Sequence, residues 1–489
     1  MEVILKKSVA KNYIYNLIYQ ILVLIIPLIT TPYLSRVLGA EGIGIYSYTI
    51  SIVTYFTLFG SLGIAMYAQR EIAYVQDDKE KRSKIFYELF ILRAITLSIS
   101  MIMFYFIFVR TGDYSTYYKI LLLEIFAVIF DISAFFQGME EFKKIINRNL
   151  IVKCISIICI FLFVKQSTDL NIYLAIYVLS NFLGNISLWI YLPKYIHKIK
   201  IKTLNLLQHL KPTITLFIPQ IATQIYTVLD KTMIGTLIIN KAEVGYYEQA
   251  QKIITIILTL VTSLGTVMLP RIANKFATGK KEEINKNILK SFNFVYFLSL
   301  PMVFGMIAIS KDLIPWFLGE SFEKSIYIIY IISPIILLIG LSNVIGIQYL
   351  LPIKRQKQYS ISVILGAITN LIFNFIFIPK FLSIGAAIAT LIAEIVVTGV
   401  QFGCVRKEYK IKEVLMMGIK YFIASILMFV VILILNELIL LGISVVLRIA
   451  IDVVIGIVIY FIMLIILKDK FTKDLIGRFA KIRRKKDLK

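Results

Sequence analysis

Apolar runs of roughly twenty residues recur fourteen times along this chain, separated by short polar connections. Their expected bounds are 13–34, 42–64, 85–109, 117–138, 149–164, 170–192 and 213–237, then 249–269, 291–309, 327–351, 360–378, 381–405, 414–437 and 441–467. A hydrocarbon core about 30 Å thick takes roughly 20 apolar residues per helix, so each run predicts a membrane span. A helix satisfies every backbone group within its own segment, as hydrocarbon demands. The expectation is an all-α integral membrane protein of about 14 transmembrane helices, with no stretch left for a sizeable soluble domain.

Lysine and arginine orient these helices. The connections fall into two alternating sets, one holding 40 basic residues and the other 9. The rich set starts at the N-terminus, includes 70–84, 143–148, 194–211, 271–290, 354–357 and 406–420, and ends in the tail. Basic residues collect on the cytoplasmic side, which places both termini there and requires an even number of spans. The tail 471–489 spaces Phe471, Leu475 and Phe479 four residues apart. It is read either as a helix lying on anionic headgroups or as a cytoplasmic anchor.

Composition changes the picture less than charge placement does. The net charge of +24 would suggest nucleic acid in a soluble chain, but with 59% hydrophobic residues and a mean hydropathy of +0.83 no nucleic-acid partner is expected. Pro32 to Arg36 follows the first run where a cleavable signal would carry small residues. Cys154, Cys159 and Cys404 are scattered in apolar runs, which excludes disulfides and a metal site as expectations. His197 and His209 share one basic connection and are read as solvated loop residues.

Two halves echo each other. Ile26-Pro27 returns as Ile218-Pro219, and Glu41-Gly42-Ile43-Gly44-Ile45-Tyr46 returns as Glu243-Val244-Gly245-Tyr246-Tyr247. The organisation expected is a six-helix lobe over 1–200, a second over 201–405, and two accessory helices with the basic tail over 406–489. Six is even, so the lobes share one orientation, the arrangement that flanks a central cavity in alternating-access transporters. The prolines are read either as freeing carbonyls toward that cavity or as packed kinks.

Ionisable residues inside spans are the candidate chemistry, because each costs at least about 2.5–3.5 kcal/mol at mid-bilayer on insertion scales. Arg93, Asp131 and Lys153 sit at similar depths in spans three to five and are expected to meet. They form either a structural ion-pair cluster or a cationic site for an anionic headgroup or a coupling proton. Glu124, seven residues before Asp131, is expected on the same helix face. Asp230 and Lys231 are expected near Glu248 and Lys252, and Glu394 stands mid-span without a basic partner in its span, a candidate for ion coupling. Arg448 and Asp452, four apart, are expected to pair with each other. Catalytic motifs are missing: Thr278-Gly279-Lys280-Lys281 lacks the other features of a phosphate-binding loop, and no Ser/His/Asp or Cys/His set assembles.

Several segments carry a resemblance. Pro32-Tyr33-Leu34-Ser35-Arg36-Val37-Leu38-Gly39, Gly42-Ile43-Gly44-Ile45-Tyr46 and Ala68-Gln69-Arg70-Glu71 resemble the N-terminus of Wzx-type polysaccharide flippases. Asp131-Ile132-Ser133-Ala134-Phe135-Phe136-Gln137-Gly138, the stretch from Pro219-Gln220 to Asp230-Lys231-Thr232, and Val244-Gly245-Tyr246-Tyr247-Glu248-Gln249-Ala250-Gln251-Lys252 are similar to later segments of that family. The likeness is clear as far as Pro270-Arg271 and thinner beyond.

The resemblance implies a member of the multidrug/oligosaccharidyl-lipid/polysaccharide exporter superfamily, flipping undecaprenyl-diphosphate-linked repeat units to the outer leaflet of the bacterial plasma membrane. It implies assembly of a capsule, O-antigen or similar envelope polymer, with a polysaccharide polymerase as a possible partner. No cofactor is implied beyond a proton or sodium gradient. Arg36, Arg70, Lys231, Lys252 and Arg271 fall in the matched segments and become headgroup candidates. Unlike related lipid II flippases, the first span carries no basic residue between Asn12 and Arg36. A cation-coupled drug exporter of the same superfamily is the alternative. A glycan polymerase or ligase is a further one, disfavoured because the connections at 238–248 and 310–326 are too short for a catalytic loop.

Overall fold

The computed structural model describes residues 2–110, 112–200, 203–438, 442–473 and 477. Within these, the side chains of 2–25, 218–220, 222–223, 225–226 and 266–267 lie outside the description, as does the tail beyond 473 save Gly477. Pro219 and the Leu475 and Phe479 positions of the tail are therefore not described.

Among the described residues the fold is all helical, without strands. The helices are α1 (Glu2–Ser61), α2 (Ile64–Tyr74), α3 (Lys79–Phe104), α4 (Ser115–Ile129), α5 (Ser133–Gly138), α6 (Phe142–Phe163), α7 (Leu170–Ser187), α8 (Leu210–Leu237) and α9 (Ala242–Ala277). They continue as α10 (Lys281–Leu318), α11 (Lys324–Ile332), α12 (Ile335–Ile345), α13 (Gln356–Phe381), α14 (Ser383–Val405), α15 (Ile411–Met417), α16 (Ile419–Leu438) and α17 (Val445–Ile466). Twelve segments among the described residues are long and apolar enough to cross a membrane. Of the fourteen expected, 13–34 runs into residues whose side chains are not described, and 213–237 falls in the 28-residue α8, outside those twelve.

The chain divides into two compact units, Met1–Gly245 and Tyr246–Lys489. In the first, α1 is interrupted at Gly39, whose φ of +67° suits a residue without a Cβ. The echo glycines Gly44 and Gly245 meet: a Cβ on Gly44 would fall on the Lys241 carbonyl oxygen, and one on Gly245 on that of Ala40. Asp78 caps α3, accepting from the Lys81 amide at 3.0 Å, and that bond holds its carboxyl below the usual range. Aromatic residues from α3 and α5 (Phe86, Phe135, Phe136) pack with Ile72, Leu188 and Leu192 into a buried core. On α6, Ile151, Ile155, Ile158 and Leu162 remain exposed along one face, as a lipid-facing stripe requires.

The fourth span is not one helix. α4 stops at Ile129, and Asp131 starts α5 by accepting from the Ser133 amide at 2.9 Å and from its hydroxyl at 2.5 Å. The carbonyls freed by the break find side-chain donors: Arg93 donates to the Asp131 oxygen at 2.5 Å and the Trp189 indole to that of Phe130 at 2.9 Å. Broken backbone at membrane depth survives only when protein groups satisfy it in this way. The break also separates Glu124 from Asp131, which do not share one continuous helix face as expected.

In the second unit α13 and α14 form a close antiparallel pair, in which a Cβ on Gly385 would run into the Phe377 carbonyl. Arg448 does not pair with Asp452. It donates to Asp312 of α10 at 3.2 Å, while Asp452 accepts from Asn436 of α16 at 2.9 Å. Local spacing permitted the expected pair, and a neighbouring helix supplied the competing carboxylate.

Candidate functional site

In the first unit the candidates separate by burial. Arg93 is 8% exposed, and its Nε has no hydrogen-bond partner among the described residues while its Nη1 serves the Asp131 carbonyl. Arg93 and Asp131 are thus brought together, though through the backbone oxygen. Lys153 is half-buried on α6. Glu124 is half-buried and accepts from the Asn181 amide of α7 at 3.0 and 3.1 Å. One turn away Asn185 donates to the Ala127 carbonyl at 2.9 Å and accepts from Arg148 at 3.0 Å. A polar ladder therefore joins α4, α6 and α7, and neither amide was singled out in the sequence.

Arg36 is exposed three residues before the break at Gly39. Arg70 is exposed on α2, donates to Glu71 at 2.8 Å and lies over the Tyr67 ring, 5.2 Å from its centroid. Asp230 is buried and Lys231 half-buried on α8, where the next residue, Thr232, bonds Ser51 of α1 at 2.9 Å. Lys241 is buried and donates to the carbonyls of Gly235 at 2.6 Å and Ile238 at 2.9 Å, satisfying the end of α8.

His209 is a correction. It is buried between the Tyr67 hydroxyl at 3.0 Å and Glu88 at 2.8 Å. Glu88 also accepts from the Asn205 amide at 2.7 Å and from Gln208 at 3.0 Å. The connection before α8 is therefore tied to α3, with His197 adding an amide bond to Ser83 at 2.8 Å. Glu88 lies inside the expected span 85–109, and a carboxylate there was the available signal.

In the second unit Lys252 is half-buried and Arg271 exposed on α9, and Glu394 is buried on α14. Beside α14 runs a neutral polar cluster: Asn374 donates to Asn370 at 3.1 Å, and the Tyr247 hydroxyl meets that of Thr390 at 2.9 Å. Two asparagines four apart in an apolar run were its signal. An apolar groove of about 440 Å³ lies between α9, α10, α16 and α17, bordered by Leu260, Phe297, Met302, Met428, Ile457 and Asp452. No group of three or more metal-ligating side chains is found among the described residues.

Residues 9–276 match the family described as polysaccharide biosynthesis protein, more than half of the chain. The chain belongs to that family. Residues 216–376 also match the MatE family. Among curated relatives, a putative O-antigen transporter of Escherichia coli (strain K12) is 26% identical over 82% of this chain and 98% of its own. The capsular polysaccharide biosynthesis protein CapF of Staphylococcus aureus is 25% identical over 79% of this chain and 96% of its own. Among solved structures, the lipid II flippase MurJ in an inward closed conformation matches with a TM-score of 0.76 at 20% identity, covering 95% of this chain and all of that one. The family member described here is thus a multi-pass membrane protein with the fold of a flippase, and its Escherichia coli relative is named as a transporter.

Proposed function

We propose that this protein flips undecaprenyl-diphosphate-linked oligosaccharide units from the cytoplasmic to the outer leaflet of a bacterial plasma membrane, for assembly of a surface polysaccharide. The observation that carries this reading is the near full-length match to an O-antigen transporter, in a chain that belongs to the polysaccharide biosynthesis family. The physical task is to carry a diphosphate and a hydrophilic glycan through hydrocarbon. Exposed arginines suit the phosphates, because a guanidinium offers planar bidentate donors. Arg36, Arg70 and Arg271 are the headgroup candidates that the structure leaves exposed, and the groove of the second unit suits the apolar isoprenyl chain.

The cycle proposed is alternating access driven by a proton or sodium gradient, with Glu124, Asp131, Asp230 and Glu394 as coupling candidates. The polar cluster around Asn370 adds oxygen atoms of the kind that hard monovalent cations accept. Both termini are proposed to be cytoplasmic, from the placement of basic residues. The substrate's consumer would be a polysaccharide polymerase, and no nucleic-acid partner is proposed.

Translocation of an undecaprenyl-diphosphate oligosaccharide in proteoliposomes, scored by access of an added glycosidase, tests this reading. Protein-dependent translocation that falls about tenfold in Arg70→Ala or Arg271→Ala, a loss of one charge-assisted contact, supports a cationic headgroup site. Translocation indifferent to Arg36→Ala, Arg70→Ala and Arg271→Ala removes that site and keeps the function. The match of residues 216–376 to MatE favours a second reading, drug export. Uptake of organic cations without glycolipid flipping would establish it.

A further inference from the structure

We propose that Asp452 is a proton-binding carboxyl in the wall of the second unit's apolar groove, and that loss of its proton draws Arg448 away from Asp312. Asp452 has no exposed surface and is the single carboxyl among the described residues that border the groove. It lies seven residues into α17, about 10 Å along the helix. Its Oδ2 accepts from Asn436 at 2.9 Å, but its Oδ1 has no hydrogen-bond partner among the described residues, and neither has Asn436 Oδ1. Of these three oxygens only Asp452 Oδ2 receives a donor among the described residues. A proton on the carboxyl supplies the donor that this group lacks, since an isolated carboxylate in an apolar wall is neutralised more readily than it is buried charged.

The charged groups around it leave no cation to spare. Arg448 is engaged by Asp312 of α10 at 3.2 and 3.4 Å. From α16 the facing group is the neutral Asn436, and α9 brings only Ile257 and Leu260 to the groove. Farther along α17, Tyr460 donates to the Phe297 carbonyl at 2.8 Å. One guanidinium therefore stands between two carboxyls, and its spacing of four residues from Asp452 on one helix places that second partner within reach. Only an O–H bond breaks in the exchange: the proton leaves to solvent, Arg448 keeps its charge and moves to Asp452, and Asp312 loses its ion pair. Beyond the site itself, a role in coupling rests on the flippase reading: an apolar chain in the groove excludes water from Asp452 and holds the proton on it.

The test is labelling of the full-length protein in lipid nanodiscs with N,N′-dicyclohexylcarbodiimide, an apolar reagent for protonated carboxyls, read by peptide mass spectrometry from mildly acidic to mildly alkaline pH. The expected result is an adduct on Asp452 that declines as pH rises and is lost in Asp452→Asn. Asp312→Asn should lower the adduct about fivefold at the pH of half labelling and about tenfold well above it, the effect of one unit in proton affinity, because Arg448 is then free to pair with Asp452. Arg448→Gln should act in the opposite direction and extend labelling to higher pH. Loss of the fold would move both variants the same way, so opposite signs exclude it. Asp452 unlabelled at every pH, equal responses in the two variants, or protection by sodium at constant pH and ionic strength would each overturn the proposal. Labelling does not depend on transport, so a protein that fails the flipping assay but shows this pattern keeps the proton site and loses only its coupling role.

Discussion

The two units bury polarity in different ways. The first buries charges and gives each a polar partner: Arg93 serves a broken helix, Lys241 closes the end of α8, and Glu88 gathers His209, Gln208 and the Asn205 amide. In the second, the hydrogen bonds around α13 and α14 join amides and hydroxyls, as in Gln401 with Ser362 and Asn370 with Asn374. Each kind of group is tolerated in lipid under its own condition. A charge is kept where loose backbone needs a strong donor or acceptor, and neutral hydrogen bonds suffice where helices stay intact. The buried carboxyls Glu394, Asp452 and Asp469 are the exceptions in the second unit.

Arg93→Met breaks this comparison most forcefully. It leaves the Asp131 carbonyl without its donor at membrane depth, and the expected loss is about 2–3 kcal/mol of stability, read as a fall in the detergent unfolding midpoint. If Gln401→Leu costs as much, the contrast between the units is wrong. Glu88→Leu comes next: it strands His209, Gln208 and the Asn205 amide and should cost about 1–3 kcal/mol, with Glu88→Gln recovering part of it. In the second unit Asn370→Leu should cost about 0.6–1.7 kcal/mol, the range of interhelical hydrogen bonds in membranes, measured by the same unfolding.

The smallest effect belongs to the exposed Asp78 cap. Its carboxyl is held below its ordinary value, so its contribution is present above the unfolded value and disappears as pH falls through the folded one. Asp78→Ala should therefore weaken protection of the first turn of α3 against amide exchange at neutral pH, and should match the parent protein in acid.

Much of the fold was legible because lipid imposes a simple demand, a long apolar run for every crossing. The site was less so, because its contacts join residues far apart in the chain. Glu88 and His209 are 121 positions apart, and a histidine in a basic connection gave no sign of burial. Arg448 had a partner four residues away, and the one it takes lies 136 away. The break at Asp131 contains neither proline nor glycine, so nothing local announced that the fourth span is two helices. The amides on α7 went unnoticed because asparagine in an apolar run carries no charge to draw attention, although Asn181 is what Glu124 binds.

The meeting of Gly44 and Gly245 has a consequence for how this chain can change. Two positions that echo each other along the sequence lie against each other's neighbouring carbonyls, as equivalent residues do across the two-fold axis of a homodimer. If the halves descend from one ancestral segment, that segment's glycine faces its own copy. A side chain added at either glycine needs the backbone of the other half to withdraw, so neither copy is free to drift alone, and the doubled sequence stays tied where these two positions meet.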